Sequence, residues 1–323
     1  MARDQSYIEL PPENEIKIKE FEISKSDSPR LVKIRLVEGE DVSVRLQEAE
    51  GGSPPPIRRR GRGYFLLLKE PGKYLLFLRN NQRKPQPISY SISEIPLREI
   101  KAPASLYEVK SLSTRTRLVT DGCYFMVLKE IDHLLDVYRE ENFSSLSAWL
   151  ALEHENIPKL LYMDLRKKFI VSEYKMGLPL SEIIRRQKKE GKIDLHQLLT
   201  IIRDILEPLK YAWEMGIIHR DIKPSNIIVS RKGKAYVVDW ELACWLEDCR
   251  VPVGENPYAP PESFRGKYHR KSDIFSVGAV LADSLGIRTS LSNTRIIHKN
   301  IKLLSQYDTS VIEQLVELTA AMM

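Results

Sequence analysis

His219-Arg220-Asp221-Ile222-Lys223-Pro224-Ser225-Asn226 is followed downstream by Val238-Asp239-Trp240. Asp221 suits the acceptance of a hydroxyl proton. Lys223 suits the neutralising of a transferring phosphoryl group. Asn226 and Asp239 offer oxygen ligands, which magnesium prefers as a hard cation. Phosphoryl transfer asks a protein mainly for positioning and charge neutralisation, and all four groups fall within about twenty residues. The string HRDxKPxN is far more specific than a lone glycine motif.

Two further segments lie outward from it in the C-terminal direction. One is Gly254-Glu255-Asn256-Pro257-Tyr258-Ala259-Pro260-Pro261-Glu262, the other Lys271-Ser272-Asp273-Ile274-Phe275-Ser276-Val277-Gly278. Taken singly, each reads as a surface turn or a buried acid cap. In this order and spacing the three resemble the catalytic loop, the end of the activation segment (APE written PPE) and the DxWxxG start of the F-helix of eukaryotic-type Ser/Thr protein kinases. The resemblance runs from about Ser105 to the C-terminus.

The resemblance implies an α+β, bilobal protein-kinase-like fold, with a small lobe over 102–174 and a large lobe over 175–323. It implies ATP and magnesium as cofactors and a protein Ser/Thr hydroxyl as acceptor. Asp221 becomes the base, Lys223 its catalytic neighbour, and Asn226 and Asp239 the metal ligands. Cys123-Tyr124-Phe125-Met126-Val127-Leu128-Lys129 is similar to the VAIK strand, about ninety residues before Asp221, which makes Lys129 the ligand of the ATP phosphates. Phe169–Lys175 resembles the fifth strand and hinge. Glu173 and Lys175 would offer adenine their backbone groups, with Ser172 as the small gatekeeper.

Several positions depart from the family pattern. Leu112-Ser113-Thr114-Arg115-Thr116-Arg117 stands where a glycine-rich loop belongs and holds no glycine. Glycine lets backbone N–H groups approach phosphate closely, so ATP binding is expected to be weak or unusual. The glutamate that would pair with Lys129 falls, by spacing, at Ser145. Glu141, one helical turn earlier, is the expected substitute. Asp239-Trp240-Glu241 replaces DFG, keeping the metal aspartate but losing the glycine. DWE also occurs in small-molecule phosphotransferases similar to aminoglycoside and choline kinases, but with an HGD loop lacking the lysine. Between Trp240 and Glu262 the sole hydroxyl side chain is Tyr258. Independence of activation-loop phosphorylation is therefore expected, with Glu247 and Asp248 as acids for Arg220. Asp273 is expected to bind the catalytic-loop backbone. A pseudokinase scaffold and a small-molecule phosphotransferase remain the rival readings. Retention of Lys129, Asp221, Lys223, Asn226 and Asp239 argues against a scaffold.

Asp194 followed by Gln197 opens an amphipathic helix with a capping pattern. Its stripe runs Leu195, Leu198, Leu199, Ile202, Ile205, Leu206 and Leu209, ending at Gly216, with Pro208 inside it. A helix over Thr309–Met323 is expected after a shortened region, leaving either a minimal lobe or a fragment.

The first hundred residues have a different texture. Glu15–Lys19, Leu31–Leu36 and Val42–Leu46 carry the alternation of half-buried strands, Tyr64–Leu68 and Tyr74–Leu78 read as strands flanking a turn, and Ile88–Ile92 as a last strand. They predict a small all-β, sandwich-like domain over 1–101, bounded by Pro96–Pro103. Glu70-Pro71-Gly72-Lys73 reads as a hairpin turn. Arg58-Arg59-Arg60-Gly61-Arg62 reads as a solvated charged loop rather than a phosphate grip, since no aromatic residues interleave it. The domain is a regulatory or docking module, and so a route to a partner, or else a structural cap.

The chain has 323 residues, 42% hydrophobic and 29% charged, with a net charge of +6. That suits globular protein and is too slight a charge to argue for nucleic acid as a partner. No apolar run is long enough to span a bilayer. Three cysteines, Cys123, Cys244 and Cys249, are too few and too odd for a secreted scaffold. The expected compartment is the reducing cytoplasm, with Cys244 and Cys249 read as buried or free thiols ahead of the alternative of a redox pair.

Overall fold

The computed structural model describes residues 5–24, 30–55, 57–60, 62–68, 70–96, 99–100, 105–132, 141–164, 166–250, 252, 257–290, 295–299, 314, 317–319 and 321–323. The chain divides into two units, Met1–Pro103 with Tyr162–Ile170, and Ala104–Leu161 with Val171–Met323.

The first unit holds β1 (Gln5–Leu10), β2 (Glu15–Ile23), β3 (Arg30–Glu38), β4 (Val42–Glu48), β5 (Arg58–Arg60), β6 (Gly63–Leu68), β7 (Gly72–Asn80), β8 (Gln86–Pro96) and β9 (Glu99–Ile100). One sheet runs β1-β8-β3-β6-β5 and the other β2-β7-β4, each antiparallel. Val32, Ile34 and Leu36 of β3, and Tyr74, Leu76 and Leu78 of β7, bury alternate side chains in one shared core with Leu66, Leu68 and Ile88. This is the expected sandwich. Buried Asn80 secures the turn into β8: its amide donates to the carbonyls of Leu10, Pro11 and Lys84, and its oxygen accepts from Gln82 N and Gln86 Nε2.

Three sequence expectations change here. The Pro71-Gly72 turn does not join a hairpin. β6 pairs with β3 and β5, while β7 pairs with β2 and β4, so the turn carries the chain between sheets. Turn chemistry is the same for both paths. What decides is that β2 and β4 occupy both edges of β7. The arginine segment is an edge strand, with Arg58 opposite Phe65 and Arg60 opposite Gly63. Positive charge along an edge resists pairing with another chain. β1 was not foreseen, because Leu10 is its buried apolar residue while Tyr7 is exposed.

In the second unit, β10 (Tyr107–Ser111), β11 (Thr116–Thr120) and β12 (Phe125–Glu130) form an antiparallel small-lobe sheet, while β13 (Leu160–Asp164) and β14 (Phe169–Glu173) each have residues in both units. The β13–β14 tip groups with the first unit, where Met163 pairs with Ile100 of β9. Helix α1 (Glu141–Ala151) follows β12. The large lobe contains α2 (Leu180–Glu190), α3 (Leu195–Glu214) and α4 (Arg270–Ser284). Its short strands are β15 (Leu178–Pro179), β16 (Ile217–Ile218), β17 (Ile227–Val229), β18 (Ala235–Val237), β19 (Cys244–Trp245), β20 (Ile287–Ser290) and β21 (Arg295–Lys299).

Asp194 caps α3 as expected, its carboxylate accepting from Gln197 N at 2.9 Å. Leu195, Leu198, Ile202, Ile205, Pro208 and Leu209 lie on its buried face. Helix α4 is buried nearly all round, Phe275, Ser276, Gly278 and Ala279 included, rather than along one stripe. The expected helix over 309–323 falls largely outside the described residues.

Candidate active site

Each catalytic-loop group is fixed by a buried partner. Asp273, at the start of α4, is 1% exposed. Its Oδ2 accepts from His219 N at 2.9 Å and Trp213 Nε1 at 3.1 Å, and its Oδ1 from Arg220 N at 3.0 Å. This is the backbone-binding role expected of it. The hub holds Arg220 in a left-handed conformation, φ 70°, a cost that recurs where structure over-determines a functional loop. His219 is fully buried, and its Nδ1 accepts from Asp221 N at 3.2 Å. Its proton therefore sits on Nε2, which donates to Val238 O at 3.1 Å. The histidine thus acts as a packed support, its ring 4.5 Å from that of Trp240.

Asp221 is 7% exposed. Lys223 Nζ lies 2.6 Å from its Oδ2, and Asn226 Nδ2 donates to the same oxygen at 2.8 Å and to Asp221 O at 2.9 Å. Asn226 therefore turns its amide nitrogen to Asp221 and keeps Oδ1 for a ligand. Asp239, also left-handed at φ 68°, presents its carboxylate to Lys129 Nζ at 2.7 and 2.8 Å. Asn226 Oδ1 and Asp239 form an oxygen donor set that fits magnesium. Among the described residues no cluster of three or more His, Cys, Asp or Glu side chains can hold a metal. Two protein oxygens, with phosphate oxygens supplying more, match how magnesium is usually carried.

Lys129 has a second carboxylate partner, Glu241 Oε1, at 2.7 Å. Burial alone would lower the Lys129 ammonium, but Asp239 and Glu241 outweigh it and raise it. Burial, then Asp239, push the Glu241 carboxyl up to about 7 against the pull of Lys129. Sequence reasoning treated Glu241 as a lost glycine. The available signal was an acid two residues after Asp239, on a turn that faces the lysine. Glu141, expected to meet Lys129, opens α1, and its side chain lies outside the described residues.

The hinge residues Glu173 and Lys175 pair with each other at 3.0 Å, and Lys175 lies 5.3 Å over the Tyr236 ring. Glu173 N donates to Lys159 O at 2.9 Å, so its backbone N–H is already used within the sheet. The glycine-free turn closes on itself. Leu112 N and Ser113 N both donate to Thr116 O, and Arg115 N donates to Ser113 Oγ.

The activation segment is tied down at its start. β19 pairs with β16, and Trp245 Nε1 donates to Ser147 Oγ of α1 at 2.9 Å. Leu246 N donates to Gly216 O at 2.8 Å. Arg220 Nε donates to Leu242 O at 2.6 Å, and its guanidinium lies 5.3 Å from the Tyr268 ring. Cys244 and Cys249 form a disulfide with Cα atoms 5.6 Å apart. That corrects the free-thiol expectation: β19 and the turn after it bring both Cα atoms within bridging range. Glu262 accepts from Ser272 Oγ at 2.8 Å and lies 3.3 Å from His269 Nε2.

The model of the protein kinase domain matches residues 116–319. The chain belongs to the protein kinase family. It is 37% identical over 128 residues to a probable serine/threonine-protein kinase PknB of Bifidobacterium longum, covering 37% of this chain and 18% of that protein. It is 27% identical over 263 residues to a probable serine/threonine-protein kinase mkcE of Dictyostelium discoideum, covering 75% of this chain and 35% of that protein. It is 34% identical over 125 residues to the serine/threonine-protein kinase PknB of Mycolicibacterium smegmatis, covering 36% of this chain and 20% of that protein. The chain thus spans well under half the length of these kinases. Among the described residues no helix is long and apolar enough to cross a membrane.

Proposed function

We propose that this kinase-family chain is an ATP- and magnesium-dependent protein Ser/Thr kinase, with an accessory β domain over 1–101 ahead of a kinase domain over 102–323. The observation that carries the reading is the intact catalytic cluster: buried Asp221 is braced by Lys223 at 2.6 Å and Asn226 at 2.8 Å. Asp221 accepts the proton of a protein hydroxyl, a role that typically supplies ~10²–10⁴ in rate. Lys223 offsets charge on the phosphoryl group. Lys129 grips the ATP phosphates, and the backbone of Glu173 and Lys175 receives adenine. Magnesium, when bound, neutralises phosphate charge, and Asn226 and Asp239 would hold it.

The activation segment works without a phosphate in this reading. The β16–β19 pairing, the Trp245–Ser147 bond and the Arg220–Leu242 bond support that, since each fastens the segment without one.

A pseudokinase scaffold is the second reading, favoured by one observation: the 112–116 turn spends its N–H groups internally instead of on phosphate. Transfer of radiolabelled γ-phosphate from ATP with magnesium, onto the chain and a basic protein, separates the two. Label incorporated by the wild type and lost in Asp221→Asn is expected. Equal background in both would overturn the kinase reading.

A further inference from the structure

Lys129 has more carboxylate than one ammonium needs. Both oxygens of Asp239 and Oε1 of Glu241 lie 2.7–2.8 Å from its Nζ. Asp239 also belongs to the magnesium donor set, and a carboxylate given to a cation is no longer free to hold the lysine in this way. A buried ammonium that loses its counter-charge is costly. Glu241 remains: its side chain is 7% exposed and lies on the far side of Trp240 from Asp239 in sequence.

The backbone under Glu241 is rigid for identifiable reasons. Trp240 is 0% exposed, and its indole N–H donates to Val237 O at 2.9 Å. Its ring meets that of His219 edge-on. The 3-10 turn Trp240–Leu242 is closed by Ala243 N donating to Trp240 O at 3.0 Å. A glycine in place of Glu241 would have no side chain to send to the lysine. Helix α1 presents Ser145, buried and uncharged, where an acid was expected by spacing.

We infer that Glu241 is the positioning residue for Lys129, keeping the lysine aligned on ATP phosphates when Asp239 is committed to magnesium. This rests on the kinase reading above. It makes alignment of the lysine a property of the first turn of the activation segment, which Trp240 anchors.

A double-mutant cycle on MgATP binding, measured by calorimetry on the full chain, tests it with Lys129→Met, Glu241→Gln and the two combined. Glu241→Gln alone is expected to weaken MgATP by about 10- to 100-fold, the range of a hydrogen bond to a charged group. It is expected to add nothing in the Lys129→Met background. Glu241→Asp, which restores charge on a shorter arm, is expected to recover part of the loss and stands in if the glutamine variant does not fold. Additive losses in the cycle would overturn the inference, as would a loss from Glu141→Gln as large as that from Glu241→Gln. A wild type that binds no MgATP would sink the kinase reading and this inference together. Binding by the wild type with an additive cycle would sink this inference alone.

Discussion

Replacing Asp273 by asparagine removes one acceptor, and the charge, from the hub under the catalytic loop. Three donors converge on this carboxylate at 2.9, 3.0 and 3.1 Å, and the side chain is 1% exposed. Asparagine keeps one oxygen. Turned towards His219 N and Trp213 Nε1, it sets its own NH₂ against Arg220 N–H, donor against donor. The lost bond to a charged acceptor is worth about 1.5–3 kcal/mol. The two bonds that remain fall from charge-assisted to neutral and weaken by roughly half. Together these predict that Asp273→Asn lowers stability by about 3–5 kcal/mol, in the range for a broken buried network. Denaturant unfolding, with the slope checked against the wild type, measures it. Because Arg220 at φ 70° and Asp221 hang from this hub, kcat should fall more than KM for ATP rises. An asparagine variant that unfolds within about 0.5 kcal/mol of the wild type would refute the reasoning, since ordinary surface substitutions do no more.

Trp240→Ala should cost about 3–5 kcal/mol by cavity formation under the DWE turn, and Trp240→Phe about 1 kcal/mol, the indole bond to Val237 O; the same denaturation series ranks them. Gly177→Ala would drive a Cβ to 2.3 Å from Val229 O, a backbone atom, so a loss of about 1–3 kcal/mol is expected. Replacing Cys244 and Cys249 together by serine should cost about 2 kcal/mol under non-reducing conditions, by the chain-entropy account of a bridge spanning five residues, and the difference should vanish with reductant. His154 is held below its ordinary 6.5 by burial, with Lys234 adding to this and Glu155 and Glu207 opposing it. Its neutral form is the one the fold prefers, so its contribution is full above pH 6.5 and is lost as pH falls through the folded value. His154→Gln should flatten the acid side of the stability profile, read from unfolding midpoints across pH.

The contacts among Asp221, Lys223 and Asn226 were legible from sequence because the three residues lie within one short loop. The sandwich strands were legible because alternation is a local consequence of one buried face. So was the cap on α3, where Asp194 and Gln197 sit three residues apart. What sequence left undecided depends on which distant elements meet. The Pro71-Gly72 turn has the same chemistry whether β6 and β7 pair or cross between sheets, and only the occupation of both edges of β7 by β2 and β4 decides it. The bridge between Cys244 and Cys249 depends on how β19 and the following turn carry the two Cα atoms to 5.6 Å. The partnership of Lys129 with Glu241 joins residues 112 apart in the chain, across two lobes. Local spacing fixes which chemical groups are present and which face they share. Pairing between distant charges is decided by the packing, here a buried tryptophan that aims the acid beside it at the lysine.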